Sequence, residues 1–197
     1  MAIAASDELS QAQSLRSLYF TRTVVQLLWA AVVLASSVSN PLLAAGLLIL
    51  YPLWDVACTV YDLRVFRQSD FGQSTARYVN VALGVLAAIG IAVTVFRSPQ
   101  QAVVVFGAWA LAAGLAQLAV GLARRKGLGG GQWAMILSGL QSAAAGAAFI
   151  AGALHDKTHI KDLGGYAILG EVYFLVAGIL LHRKQSRLSS VPGTAAI

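Results

Sequence analysis

Residues 102–123 read AVVVFGAWALAAGLAQLAVGLA and are followed at once by Arg124-Arg125-Lys126. An α-helix rises about 1.5 Å per residue, so a run of this length crosses the roughly 30 Å hydrocarbon core of a bilayer. The run contains no charged residue, and a basic triplet behind it is typical of the cytoplasmic end of a span. The stretch therefore predicts a transmembrane helix.

The rest of the chain has the same character. Over 197 residues, 58% of the side chains are hydrophobic and 11% are charged, which excludes a soluble globular protein. Backbone groups in lipid must be hydrogen-bonded internally, and no period-two alternation is present, so the apolar blocks are predicted to be helices. The predicted spans are residues 18–38, 41–61, 78–96, 102–123, 133–154 and 163–181.

The spans define the predicted organisation of the chain. We expect residues 1–17 to form a cytosolic tail, residues 18–184 a six-helix membrane domain, and residues 185–197 a second cytosolic tail. The first span could also be read as the apolar region of a signal peptide. A retained helix is favoured, because the segment before it is long and acidic and the second span follows almost directly.

The distribution of Lys and Arg over the two sides of six spans predicts the topology. Eleven lie on one side and three on the other, so both termini are predicted in the cytoplasm. The larger set is Arg16, Arg22, Arg64, Arg67, Arg77, Arg124, Arg125, Lys126, Arg183, Lys184 and Arg187, and the smaller set is Arg97, Lys157 and Lys161. Basic clusters at Arg64, Arg124 and Arg183 are about 60 residues apart, which predicts three repeated helical hairpins.

The net charge of +6 suits a membrane protein, because basic residues are attracted to anionic lipid headgroups. Membrane lipids are therefore the predicted partners, and nucleic acid is not. The single cysteine, Cys58, permits no disulfide within the chain and no cysteine metal cluster.

Small residues recur at helical spacing in spans three to five. In lipid they mark places where helix backbones approach closely, so these three helices are predicted to pack tightly. The alternative to compaction of the bundle is a face for self-association. The glycines concerned are Gly84, Gly107, Gly114, Gly121, Gly139 and Gly146.

Two acids, Asp55 and Glu171, lie at membrane depth. A carboxylate there costs at least about 2.5 kcal/mol on insertion scales, so each is a candidate functional group. With no Lys or Arg expected at the same depth, we expect protonated carboxyls that donate to carboxamides. Three roles are possible for these acids: a structural hydrogen bond, proton sensing or relay, and cation binding. The candidate network residues are Gln26, Asn80, Gln117 and Gln141.

His155 and His159 lie in the predicted outer loop, four residues apart. If the loop is helical, the two imidazoles share a face. The candidate roles are an external pH sensor, a weak Zn or Cu site, or simply a polar loop. Two histidines without a third ligand are a poor metal signal, so no metal is predicted.

The residues that common enzymatic and cofactor sites need are missing from the predicted spans and connections. No histidine lies within a predicted span, no lysine lies at mid-span, and the glycines of residues 127–131 are not followed by the Lys-Ser/Thr of a phosphate-binding loop. We therefore expect neither an enzyme nor a cofactor.

The central hairpin resembles a known family. Phe106-Gly107-Ala108-Trp109, the basic triplet, the glycine-rich turn with Trp133, and Ser138-Gly139 through Gly146 are similar to the repeat of the HdeD family. The resemblance covers mainly residues 80–150. It implies a six-helix bacterial inner-membrane protein, linked in some members to acid resistance, with no catalytic site to carry over.

The expected function is that of a non-enzymatic inner-membrane protein in acid or envelope stress tolerance, with Asp55 and Glu171 as proton-responsive groups. A small transporter or channel is the first alternative, and it requires a hydrated path past both acids. The second is a scaffold subunit, which requires a membrane-protein partner. A homo-oligomer is compatible with all three.

Overall fold

The computed structural model describes residues 2–65, 71–124 and 132–189, and all regular structure in these ranges is α-helical. This confirms the predicted all-α class. Each predicted span lies within one helix, except for the last two residues of the first and third spans, and several helices extend well beyond their span. The helices are α1 (Ala2–Ser36), α2 (Pro41–Val65), α3 (Phe71–Thr94), α4 (Pro99–Arg124), α5 (Gln132–Leu154) and α6 (Ile160–Ser189). Arg67, Arg125, Lys126 and the glycine-rich connection lie outside the described residues.

The helix lengths and hydropathies are those of a membrane protein. Within the described ranges, α2, α3, α4 and α5 are each long and apolar enough to cross a bilayer. Helix α1 is longer than its apolar part, Phe20–Ser36, because it also includes most of the polar segment that precedes that part. Large apolar side chains such as Leu28, Ile89 and Leu169 point outward and are about 60% exposed, as a lipid-facing surface requires.

Two of the connections between helices are tight turns with polar caps. Asn40 Oδ1 accepts a hydrogen bond of 3.0 Å from the Leu43 amide, with Pro41 at the first helical position of α2. The turn explains how the second span can follow the first almost directly. The same arrangement begins α4, where Ser98 Oγ accepts from the Gln101 amide at 3.3 Å.

The helices form a closed ring. Each one packs against the next in the chain, and α6 packs against α1. The packing is closest between α4 and α5 and much sparser between α1 and α2. Helix order around the bundle, which spacing in the sequence does not specify, is therefore the chain order.

The interior of the ring is filled by a chain of aromatic side chains. Tyr51 packs against Trp29 at a ring-centroid distance of 4.5 Å and against Phe106 at 5.5 Å. Phe106 continues the contact to Phe149 at 6.0 Å, and Phe149 meets Tyr166 at 5.5 Å. Five rings from α1, α2, α4, α5 and α6 therefore close the centre of the bundle.

Glycines allow α4 and α5 to pack backbone against backbone. A methyl group added at Gly114 would lie 2.5 Å from the Ala143 amide nitrogen, and one at Gly107 would lie 2.8 Å from the Gly146 carbonyl oxygen. Gly84 has a different neighbour, because it lies against Val56 on α2. The close approach predicted for spans three to five is thus concentrated in the α4–α5 pair.

Candidate functional site

The charged groups at membrane depth meet between α1, α2 and α3. Arg22 Nη2 of α1 donates to Asp55 Oδ1 of α2 at 2.6 Å, and the two side chains are only 12% and 15% exposed. Asn80 of α3 donates through Nδ2 to Asp55 Oδ2 at 2.7 Å and to Thr59 Oγ1 at 3.1 Å. Both carboxylate oxygens of Asp55 therefore accept hydrogen bonds.

This geometry corrects the expectation that no basic side chain reaches the buried acids. The charge distribution predicts Arg22 at the cytoplasmic end of the first span, but Arg22 lies two residues inside the apolar segment Phe20–Ser36. Its long side chain carries the guanidinium to Asp55, and an ion pair replaces the expected protonated carboxyl. Because Arg22 and Asn80 both donate, Asp55 acts as an acceptor.

Among the acids whose side chains the structure describes, Glu171 is the most deeply buried, with 1% of its surface exposed. It projects from α6 towards α1, where Thr23 interacts with its carboxyl group. Neither carboxyl oxygen has a hydrogen bond of full geometry within the described part of the chain. Glu171 is within electrostatic range of both Arg22 and Asp55. Arg22 is therefore held by Asp55 while a second acid lies close by.

We call Arg22, Asp55, Asn80 and Glu171 the buried charge cluster. Its ionisable members carry one positive and two negative charges when all are ionised. An unbalanced buried charge is unfavourable, so the cluster is electrostatically sensitive to one added proton. Tyr51, Cys58 and Tyr166 are the other titratable groups that interact with Glu171 or Asp55.

The predicted carboxamides are not all brought together. Asn80 contacts Asp55 directly, whereas Gln26 is 4% exposed and lies one helical turn from Arg22. Gln141 lies on α5, and both of its carboxamide atoms are buried without a partner in the described ranges. Gln117, on α4, has interactions of its own. The network around Asp55 is thus smaller than the sequence predicted.

A second ion pair lies near the predicted cytoplasmic end. Arg77 Nε of α3 donates to Asp62 Oδ2 of α2 at 2.7 Å, and the side chains are 20% and 22% exposed. Arg64 lies much nearer to Asp62 along the chain than Arg77 does. The partner is instead supplied by the neighbouring helix, which sequence spacing along one helix does not reveal.

The outer histidines do not share a helix face. Helix α5 ends at Leu154, and residues 155–159 form a turn in which Asp156 has a positive φ of 53°. The Asp162 carboxylate accepts a 2.8 Å hydrogen bond from the His159 amide and caps α6. His159 lines a cavity of about 590 Å³ at this end of the bundle, whereas His155 is exposed on the turn. The described ranges contain no group of three side chains suited to a metal ion.

Comparison of the chain with protein-family profiles, with curated proteins and with solved structures finds no match.

Proposed function

We propose that this chain is a non-enzymatic protein of the bacterial inner membrane that responds to protonation and serves acid or envelope stress tolerance. In this proposal six helices span the membrane as three hairpins, with both termini in the cytoplasm. The four long apolar helices and the ring of adjacent helices support that arrangement. The HdeD resemblance of residues 80–150 is the reason for naming acid tolerance.

The observation that carries the proposal is the position of Glu171. Its carboxyl group is almost fully buried, lacks complete hydrogen bonding in the described part of the chain, and lies near an arginine that is already paired. An ionised Glu171 holds α6 to α1 by attracting Arg22. A protonated Glu171 leaves Arg22 to Asp55 alone and weakens that attraction. Two packings of α6 against α1 are the bistable element that such a switch requires.

The filled interior of the ring favours this role over that of a channel. A hydrated path past Asp55 and Glu171 would have to pass the aromatic contacts among Tyr51, Phe106 and Phe149. We therefore place the effect of the proton on helix packing rather than on flux.

The test uses Cys58, the single cysteine of the chain, as a reporter. It is 3% exposed and lies one helical turn from Asp55. The purified protein is allowed to react with 4,4′-dithiodipyridine between pH 7.5 and 4.5, and each rate is divided by that of the unfolded protein at the same pH. We expect the normalised rate to rise several-fold on acidification. Glu171→Gln, which is permanently neutral, should show the high rate at every pH.

A flat normalised rate in the wild-type protein, or an unchanged pH profile in Glu171→Gln, contradicts the proton-responsive role. The physiological part is tested separately by survival of a deletion strain after brief exposure to about pH 3, complemented with wild type or Glu171→Gln at equal membrane levels. Equal survival of the deletion strain and its parent contradicts acid tolerance.

A further inference from the structure

A cavity of about 360 Å³ lies between α1 and α2, where helix packing is sparse. Its volume is within the range of small-molecule sites, which run from about 300 to 1,000 Å³. Trp29 and Tyr51 form an aromatic wall, and Trp29 is held in place because its Nε1 donates to the Leu47 carbonyl at 2.7 Å. Leu53 and Ala57, both exposed to the lipid side, lie at the mouth.

Gln26 and Trp54 bring hydrogen-bonding groups to this largely apolar cavity. Gln26 is only 4% exposed, and its carboxamide belongs to the cavity lining. Trp54 Nε1 is buried without a partner within the described ranges. Buried amide and indole N–H groups normally have acceptors. The cavity therefore presents donors to a molecule that carries an acceptor and is otherwise apolar.

The depth of these groups restricts the chemistry of that molecule. Gln26 lies six residues beyond Phe20, the start of the apolar segment of α1, which corresponds to about 9 Å at 1.5 Å per residue. Tyr51 lies close to the middle of the span Pro41–Arg64. Ester carbonyls of phospholipids lie at the boundary of the hydrocarbon core rather than this far inside it. An acceptor on a ring that dissolves in the hydrocarbon reaches this depth without strain.

We propose that this cavity binds the headgroup of a lipid-soluble quinone. The flat ring packs against Trp29, Tyr51 and Trp54, and a quinone carbonyl accepts a hydrogen bond from Gln26 or from Trp54 Nε1. The apolar tail leaves between Leu53 and Ala57 into the bilayer. This site is additional to the proposed proton response and does not depend on it.

The experiment measures retention of decylubiquinone by the immobilised full-length protein in dodecylmaltoside. We expect saturable retention of one molecule per chain, which decylbenzene does not displace because it has the ring and tail but no carbonyl. Gln26→Leu should weaken binding about five- to tenfold, the effect of one buried hydrogen bond. Ala57→Trp should abolish binding, because an indole at the mouth fills the cavity.

The matched control is Gln141→Leu, the same substitution at a buried glutamine that does not line the cavity. It should bind decylubiquinone like the wild type. All variants are first checked for a single elution peak in gel filtration. Ala57 lies on the lipid-facing surface, so its variant keeps the proposal testable if Gln26→Leu does not fold.

Absence of saturable retention overturns the proposal, as does wild-type affinity in folded Ala57→Trp. Equal displacement by decylbenzene shows that the carbonyl is not recognised. Displacement of decylubiquinone by phosphatidylglycerol at equal concentration identifies the occupant as a phospholipid and likewise overturns it.

Discussion

The two sides of the helix ring differ in what holds them together. Helices α4 and α5 meet through glycines, with Gly114 against Ala143 and Gly107 against Gly146. Helices α1, α2 and α3 meet through the ion pair of Arg22 with Asp55 and the amide of Asn80. The first interface is close and apolar, whereas the second is more open and contains a cavity.

The two interfaces should therefore differ in how strongly they respond to pH and to ligands. Contacts between small residues depend on van der Waals packing and do not change with pH or with ligands. Buried charges depend on their protonation and on every neighbouring charge. A response to the environment is therefore expected around the buried charge cluster, where α1 meets α2, α3 and α6, whereas the α4–α5 interface is expected to stay unchanged.

The largest effect is expected from breaking the ion pair on one side only. Asp55→Leu leaves Arg22 buried without its closest partner and should reduce the free energy of unfolding by about 3–5 kcal/mol. The measurement is thermal unfolding of the purified protein in detergent. The double variant Arg22→Leu/Asp55→Leu should recover a large part of this loss. A double variant as unstable as the sum of the single ones would show that the pair does not couple.

A smaller loss in the free energy of unfolding is expected at the α4–α5 interface. Gly114→Ala places a methyl group against the backbone of α5 and should cost about 1–3 kcal/mol in the same unfolding assay. The matched control is Gly46→Ala, because a methyl group there meets no atom within 4 Å. Equal stability of the two variants would contradict the close approach of α4 and α5.

Asn80→Leu removes the second donor to Asp55 while keeping the Arg22 pair. The expected loss is about 1.5–2 kcal/mol, the lower part of the range for a hydrogen bond to a charged acceptor, because the pair with Arg22 remains. It should also raise the acid-induced reactivity of Cys58, since Asp55 then has one donor fewer. Wild-type stability together with an unchanged Cys58 profile would exclude Asn80 from the cluster.

The smallest effect is expected at the pair of Asp62 and Arg77. Both side chains retain about a fifth of their exposure, so solvent screens the pair and Asp62→Asn should cost at most about 1 kcal/mol. Added salt should reduce the difference from wild type further. A loss as large as that of Asp55→Leu would show that this pair is as buried as the first.

The helices were predictable because a span needs about 20 apolar residues, and blocks of this length can be recognised directly in the sequence. Asp55 and Glu171 were found for the same reason, as acids inside those blocks. The pairing of Asp55 with Arg22 was missed because depth was counted along the backbone, which neglects the reach of an arginine side chain. The separation of His155 from His159 depends on the left-handed backbone conformation of Asp156, which the hydrophobic periodicity of the sequence does not indicate.

The position of the ion pair in the chain has a consequence for biogenesis. Arg22 and Asp55 are 33 residues apart on adjacent helices, and both are synthesised before α6. Each is costly to insert alone, but the pair can enter the bilayer as one neutral unit once the first hairpin has formed. Glu171 is synthesised later, with α6, when that pair can already have formed. Packing of α6 against α1 thus completes the ring and adds the unbalanced charge in one event, so a chain without α6 in place lacks the third charge.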